Sequence, residues 1–147
     1  MGRVVGLDLG ERRIGVAVSD SGRVLASPHC TIERARTGPD SAEADRAAVV
    51  AVVTDLGAEQ VVVGMPLGLD GRRGRAGRAA ADEAAALSRA LEPDGVAVTT
   101  FDERFTTVSA ERALAQAGHS GRSRRQVVDQ AAAAVMLQAW LDSGHRR

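Results

Sequence analysis

Apolar positions near the start of the chain come in short runs broken by glycine and charge. "RVVGLDL" (3–9), "RIGVAVS" (13–19) and "RVLAS" (23–27) read as three short strands, and the junctions "GERR" and "SDSGR" carry the residues of tight hairpin turns. Residues 28–40, with Pro28, Gly38 and Pro39, read as a loop. The spacing then becomes helical from about Ser41 to Leu56, with Asp40 and Glu43 at the spacing of a capping box and Gly57 as the stop. "QVVVGMP" (60–66) is a strand whose continuous valines ask for cover on both faces. "LGLDGRRGRAG" (67–77) is a Gly- and Arg-rich loop leading into an Ala-rich helix that ends near Leu91, before Glu92 and Pro93. "VAVTTFDER" (96–104) is the last strand. A short helix over about 107–117 stops at Gly118, "HSGRSRRQ" (119–126) is a basic loop, and Ser123 caps a final helix running to about Leu141.

An opening run of three strands followed by strand–helix alternation specifies an α/β fold, a mixed sheet with helices on both faces. No repeat or linker interrupts the 147 residues, so residues 1–147 read as a single domain. With no Tyr, one Trp and two Phe, the interior has to be filled by Val, Leu, Ile and Ala. No apolar run approaches the length of a membrane span and the chain enters a strand at once, so the expectation is a soluble cytoplasmic protein without a membrane partner. The single Cys30 excludes an internal disulfide and fits a reducing compartment; with three scattered His it makes no zinc pattern.

The formal net charge is zero, so the overall field carries no nucleic-acid signal. The distribution does. All 19 basic residues are Arg; Arg72, Arg73, Arg75 and Arg78 cluster in one segment and Arg122, Arg124 and Arg125 in another. Clustered guanidinium groups suit phosphate contact, although any one of them alone is more at home on a solvated surface.

Three sets of acids stand where solubility does not require them. Asp8 interrupts the first strand, and an unpaired ionised carboxylate away from water is costly, so it needs a partner. Asp102 and Glu103 end the last strand. Asp129 lies in "RRQVVDQAAAAVMLQAWL" (124–141), with Ala132, Ala133 and Met136 at helical spacing, small neighbours that let the helix approach the sheet. Acids brought together raise one another's pKa unless cations lie between them. Mg²⁺, or Mn²⁺, suits such oxygen donors, and two ions about 3.5–4 Å apart clamp the attacking and leaving oxygens of a phosphodiester. Each acid also has an ordinary explanation: solvation at a strand end, a place in the N-terminal half of a helix for Asp129, an ion pair with Arg104 for Asp102 or Glu103.

"GLDLGERRIGVAVSD", "VVVGMPLGLDGRRG", "FDERFTT" and "RRQVVDQAAAAVMLQAWL" occur in this order from near Val4 to Leu141, and together they resemble the YqgF/RuvX family, relatives of Holliday-junction resolvases with a ribonuclease-H-like fold. The resemblance implies a five-stranded mixed sheet with the first three strands antiparallel. It also implies a metal-dependent nuclease site of Asp8, Glu103 and Asp129, each both catalytic and metal-binding. Related resolvases carry a further acid at the end of the fourth strand; here that place reads Gly64-Met65-Pro66. Strand alternation lets only one of Asp102 and Glu103 face the site. The family points to Glu103, and the residues themselves leave Asp102 open. The family's two roles, 5′-end maturation of pre-16S rRNA in ribosome biogenesis and resolution of Holliday junctions in recombination and repair, imply structured RNA or branched DNA as partner.

The other motifs fit such a substrate. "GMPLGLDGRRG" can bring backbone N–H groups to a phosphate, with Arg72 and Arg73 on the next. Arg12 and Arg13 follow Asp8 and can position the scissile strand, Arg104 can neutralise charge at the phosphate, and Arg124 and Arg125 add to the nucleic-acid surface. Phe101 and Phe105 read as core. "GLDLG" with "IGVAVSD" also resembles the phosphate loop of the sugar-kinase, Hsp70 and actin ATPases, but that architecture needs two lobes for which 147 residues leave no room. A non-catalytic nucleic-acid-binding factor on the same fold is the remaining alternative. A junction resolvase implies a homodimer and an rRNA-end nuclease only one site, so monomer and homodimer both stay open.

Overall fold

The computed structural model describes residues 2–35, 38, 40–65, 74–102 and 121–144, the side chains of Ala76 and of 121–129 excepted. The strands are β1 (Arg3–Leu9), β2 (Arg13–Ser19), β3 (Ala26–Glu33), β4 (Ala58–Met65) and β5 (Ala97–Asp102). The helices are α1 (Ser41–Asp55), α2 (Arg75–Leu91) and α3 (Gly121–Asp142), with a 3₁₀ turn at Glu92–Asp94. They form one five-stranded sheet in the order β3-β2-β1-β4-β5. β1, β2 and β3 are antiparallel, and β1, β4 and β5 are parallel. This is the ribonuclease-H-like mixed sheet the resemblance implied.

Strand alternation sorts the core into two layers. Val5, Leu7, Ile14, Val16, Val61 and Val63 form one layer with Val49 and Val53 of α1 and Ala84, Leu87 and Leu91 of α2. The buried positions recur at helical spacing: Asp45, Val49 and Val53 on α1, and Ala80, Ala84, Leu87 and Leu91 on α2. Val4, Ala17 and Val62 form the opposite layer under Ala133, Met136, Leu137, Trp140 and Leu141 of α3.

The third strand lies later than its expected 23–27, and the first part of the expected loop 28–40, residues 28–33, is therefore strand. Asp20 is the cause. Its carboxylate accepts the Val24 and Leu25 N–H groups at 2.8 and 3.0 Å, and its carbonyl accepts the Arg23 N–H at 3.0 Å. Arg23 takes a left-handed φ of 58°, and its buried guanidinium donates from Nε to the Gly2 carbonyl at 2.8 Å. Val24 and Leu25 thus become exposed turn residues despite their apolar character. Pro28 is tolerated because β3 is an edge strand, beside a register shift in which Val16 pairs with Cys30 and Ala17 with Pro28.

Two helix ends also differ from expectation. Asp40 makes no side-chain cap bond at the start of α1, so the capping box is not formed. Gly57 does close the far end, at φ 62° with its N–H on the Thr54 carbonyl. Helix α3 begins at Gly121, two residues before the expected cap at Ser123. Of the loop expected over 67–77, residues 75–77 already belong to α2, while 67–73 and the short helix expected over about 107–117 lie outside the described residues.

Candidate active site

The parallel strands β1, β4 and β5 end together, at Leu9, Met65 and Asp102, along one edge of the sheet. In open α/β sheets this carboxyl edge is where ligands bind. Asp8 is the penultimate residue of β1 and is half-buried. It shares its phase with Val4 and Gly6, whereas Val5 and Leu7 belong to the α1/α2 layer, so Asp8 lies on the α3 face. Its cross-strand partner on β2 is Gly15, and the β4 residue following the Leu7–Val63 pair is Gly64. The positions flanking Asp8 on both neighbouring strands are therefore glycines.

Gly6 sets how closely α3 approaches. A Cβ there would stand 2.9 Å from Leu137 Cβ and 3.4 Å from the Ala133 carbonyl oxygen. Gln138, further along the helix, accepts the Ala26 N–H at 2.8 Å and donates to the Val24 carbonyl at 2.9 Å, at the opposite edge of the sheet. Helix α3 therefore runs antiparallel to β1, with its N-terminal half toward Asp8. Position 129 is one turn before Ala133, about 6 Å along the axis. Asp8 is two residues past Gly6, about 7 Å along the strand. The backbone thus brings positions 8 and 129 to one level of one face; the side chain of Asp129 lies outside the described residues.

The same phase argument places Asp102. Phe101 packs with the α3 layer and Val98 with the α1/α2 layer. Asp102, paired with Met65, falls on the phase of Val98, away from Asp8. Glu103 is the next position and lies outside the described residues. Among the described residues, no three His, Cys, Asp or Glu groups form a metal cluster. Phe101 is core, as its sequence setting indicated.

The arginines divide. Arg12 is exposed on the β1–β2 loop, while Arg13 donates from Nε to Glu33 at 3.2 Å. Arg72, Arg73 and Arg104 lie outside the described residues, as do the side chains of Arg124 and Arg125. Arg75 and Arg78 are exposed at the start of α2.

Arg34 was not singled out by its sequence setting. Its Nε donates to the Gly10 carbonyl at 2.7 Å, and its two terminal nitrogens fork onto Glu83 at 2.7 and 3.2 Å. It also reaches Asp45 at 3.3 Å, and Asp45, itself buried, accepts the Ala35 N–H at 2.8 Å. Burial works against the Arg34 charge, but the Glu83 and Asp45 carboxylates more than offset it and hold the guanidinium protonated beyond its ordinary range. Arg34 and Glu83 line a cleft of about 460 Å³ between the β1–β2 loop and α2, with Gly10, Glu11 and Arg75. No sequence period links residues 10, 34, 45 and 83.

Residues 2–143 match the family model described as "RuvX: Holliday junction resolvase". The chain belongs to the RuvX family. Among curated RuvX relatives, proteins named "Putative pre-16S rRNA nuclease" from Rhodococcus opacus (strain B4), Nocardia farcinica and Mycobacterium tuberculosis are 44%, 46% and 44% identical. The alignments cover 99%, 96% and 96% of this chain and 80%, 78% and 79% of those proteins. The RuvX chain also shares its fold with Thermus thermophilus RuvC in complex with a Holliday junction substrate. The TM-score is 0.67 at 16% identity, over 99% of this chain and 98% of that one. The yeast mitochondrial Holliday junction resolvase gives a TM-score of 0.61 at 11% identity, over 95% and 78%. Membership of RuvX assigns the chain to the nucleases, enzymes that hydrolyse phosphodiesters. No helix among the described residues is long and apolar enough to cross a membrane.

Proposed function

We propose that this chain is a divalent-metal-dependent endonuclease of the cytoplasm that acts on structured nucleic acid, its reaction being 5′-end maturation of pre-16S rRNA. The observation that carries the reading is the meeting of Asp8 and position 129 at one level of the glycine-lined α3 face, on the edge where β1, β4 and β5 end. The names of the curated relatives support the choice of substrate. Residues 1–147 work as one nuclease domain, a reading the family match over 2–143 supports.

Asp8, Glu103 and Asp129 would hold the metal, Mg²⁺ or Mn²⁺. The donor set fits: all three are carboxylates, and hard cations take oxygen ligands. When bound, the metal supplies an acidified water and charge neutralisation at the scissile phosphate. The chain supplies the rest. Asp8 orients the site from the end of its strand. Arg12 and Arg13 steer the scissile strand, Arg72, Arg73, Arg124 and Arg125 grip flanking phosphates, and Arg104 offsets charge that develops at phosphorus. Glu103 rather than Asp102 is the second acid, because Asp102 shares the phase of the α1/α2 layer.

The test is cleavage by wild type and Asp8→Asn in Mg²⁺, with a structured 16S precursor and a synthetic four-way DNA junction as substrates. Metal-dependent cutting of the RNA by wild type alone is expected. Paired symmetric nicks in the junction would instead establish a Holliday-junction resolvase working as a homodimer, the reading that the family description favours. Salt-sensitive binding without cleavage would establish a non-catalytic nucleic-acid-binding factor.

A further inference from the structure

Asp8 stands one residue before the end of its strand, and the loop that follows has to be held still if the carboxylate and Arg12 are to keep a fixed relation to a phosphate. Among the described residues, Arg34 grips this loop from outside at two points. The Arg34 backbone N–H donates to the Arg12 carbonyl at 2.9 Å, and its Nε donates to the Gly10 carbonyl at 2.7 Å. Both shoulders of the Gly10–Arg12 loop therefore hang on a single side chain and its own backbone. Within the loop, the Gly10 N–H reaches the Arg13 carbonyl at 2.9 Å, so the turn is closed on itself as well as clamped from outside.

The clamp is itself fixed from the other side. Glu83 of α2 takes both terminal nitrogens, and Asp45 of α1 takes one of them while its second oxygen holds the Ala35 N–H. The Arg34 side chain is 13% exposed and that of Asp45 11%. A planar fork with this many fixed partners has one orientation, whereas a lysine ammonium at the same place can satisfy the carboxylates without reaching the Gly10 carbonyl. The two helices of the α1/α2 layer thereby set the position of a loop that serves the opposite face.

We infer that Arg34 is the positioning residue for the Asp8–Arg12 segment, transmitting the placement of α1 and α2 to the candidate nuclease site through the Gly10 carbonyl. This inference rests on the proposed nuclease reading for its effect on cleavage, but not for its effect on the loop. The Arg34 guanidinium spends its hydrogen bonds on protein partners, so its removal acts on geometry.

The experiment compares wild type, Arg34→Lys and the milder Glu83→Gln, which keeps the arginine and loses one charge of its fork. Three quantities are measured on each full chain: thermal melting, amide hydrogen exchange, and kcat and KM on whichever substrate wild type cuts. In Arg34→Lys the Gly10–Arg13 amides should exchange faster while Val61–Val63 of β4 keep their protection. With the protein still folded at the assay temperature, kcat should fall about 10–100-fold with KM little changed, the cost of a displaced catalytic loop. Glu83→Gln should shift both in the same direction by less. Unchanged exchange at Gly10 with full kcat in Arg34→Lys overturns the inference. Faster exchange spread equally over β4, with activity tracking the folded fraction, also overturns it and makes Arg34 a residue of stability alone. If wild type cuts nothing but Gly10 exchange still responds to Arg34→Lys, the clamp stands and the nuclease reading falls.

Discussion

The two faces of the sheet are built from different materials. Toward α1 and α2 the strands present Val5, Leu7, Ile14, Val16, Val61 and Val63, branched aliphatics that close a dry layer. Toward α3 the same strands present Val4, Gly6, Gly15, Ala17, Val62 and Gly64, with Asp8 among them. The first face is filled by side chains from the sheet. The second is filled by the helix itself, which comes close enough at Gly6 that a single added Cβ would touch Leu137. Small residues therefore do two things: they bring α3 down onto β1, and near the carboxyl edge they flank Asp8 on both sides. A layer packed by strand side chains on the α1/α2 face and a layer packed by the approaching helix on the α3 face follow from one difference in side-chain volume.

Substitutions should separate the two faces. The largest effect is expected from Asp8→Asn, which keeps the volume and removes the charge: cleavage should fall by roughly 10²–10³-fold or more while melting stays near wild type, read by the junction and rRNA assays. An Asp8→Asn protein that cuts normally would leave the α3 face with no catalytic part. Next comes Leu7→Ala, on the filled face, expected to destabilise by about 2–5 kcal/mol in denaturant titration. Equal loss of activity and of folded fraction would mark that face as purely structural.

Gly6→Ala is expected to cost less, about 1–3 kcal/mol, because Leu137 and the helix must shift to admit the methyl group. The displacement moves position 129 against Asp8, so activity should fall by more than the folded fraction. A Gly6→Ala chain that loses stability but keeps kcat would uncouple the helix approach from the site.

The smallest effect concerns Cys30, which packs on the edge of the filled face. Burial pushes its thiol above the ordinary 9.0. At any pH below that value the thiolate fraction is lower than in a free thiol, so reaction with a disulfide reagent should be slower than for a model thiol and should rise with pH over a higher range. A rate equal to that of the free thiol would show that this edge is wet.

Much of this arrangement was legible along the chain. The short strands, the helices, the run of valines in β4 and the acid interrupting β1 are properties of near neighbours, and the order of these elements specified a mixed sheet with helices on both faces. The spacing from Asp129 to Ala133 already implied a close helix, and Gly6 is the surface it meets. The misplaced third strand shows where local reading stops. Val24 and Leu25 have strand character, but Asp20 captures their N–H groups in a turn, and that competition is decided by hydrogen bonds rather than by apolarity. The phase of Asp102 needed the layer to which Phe101 packs, which no adjacent pair of acids reveals by itself. The Arg34 clamp needed more still. It joins residues 10, 34, 45 and 83 through a guanidinium fork, and such a network has no period in the sequence because its members become neighbours only when two helices and a hairpin loop close around one side chain.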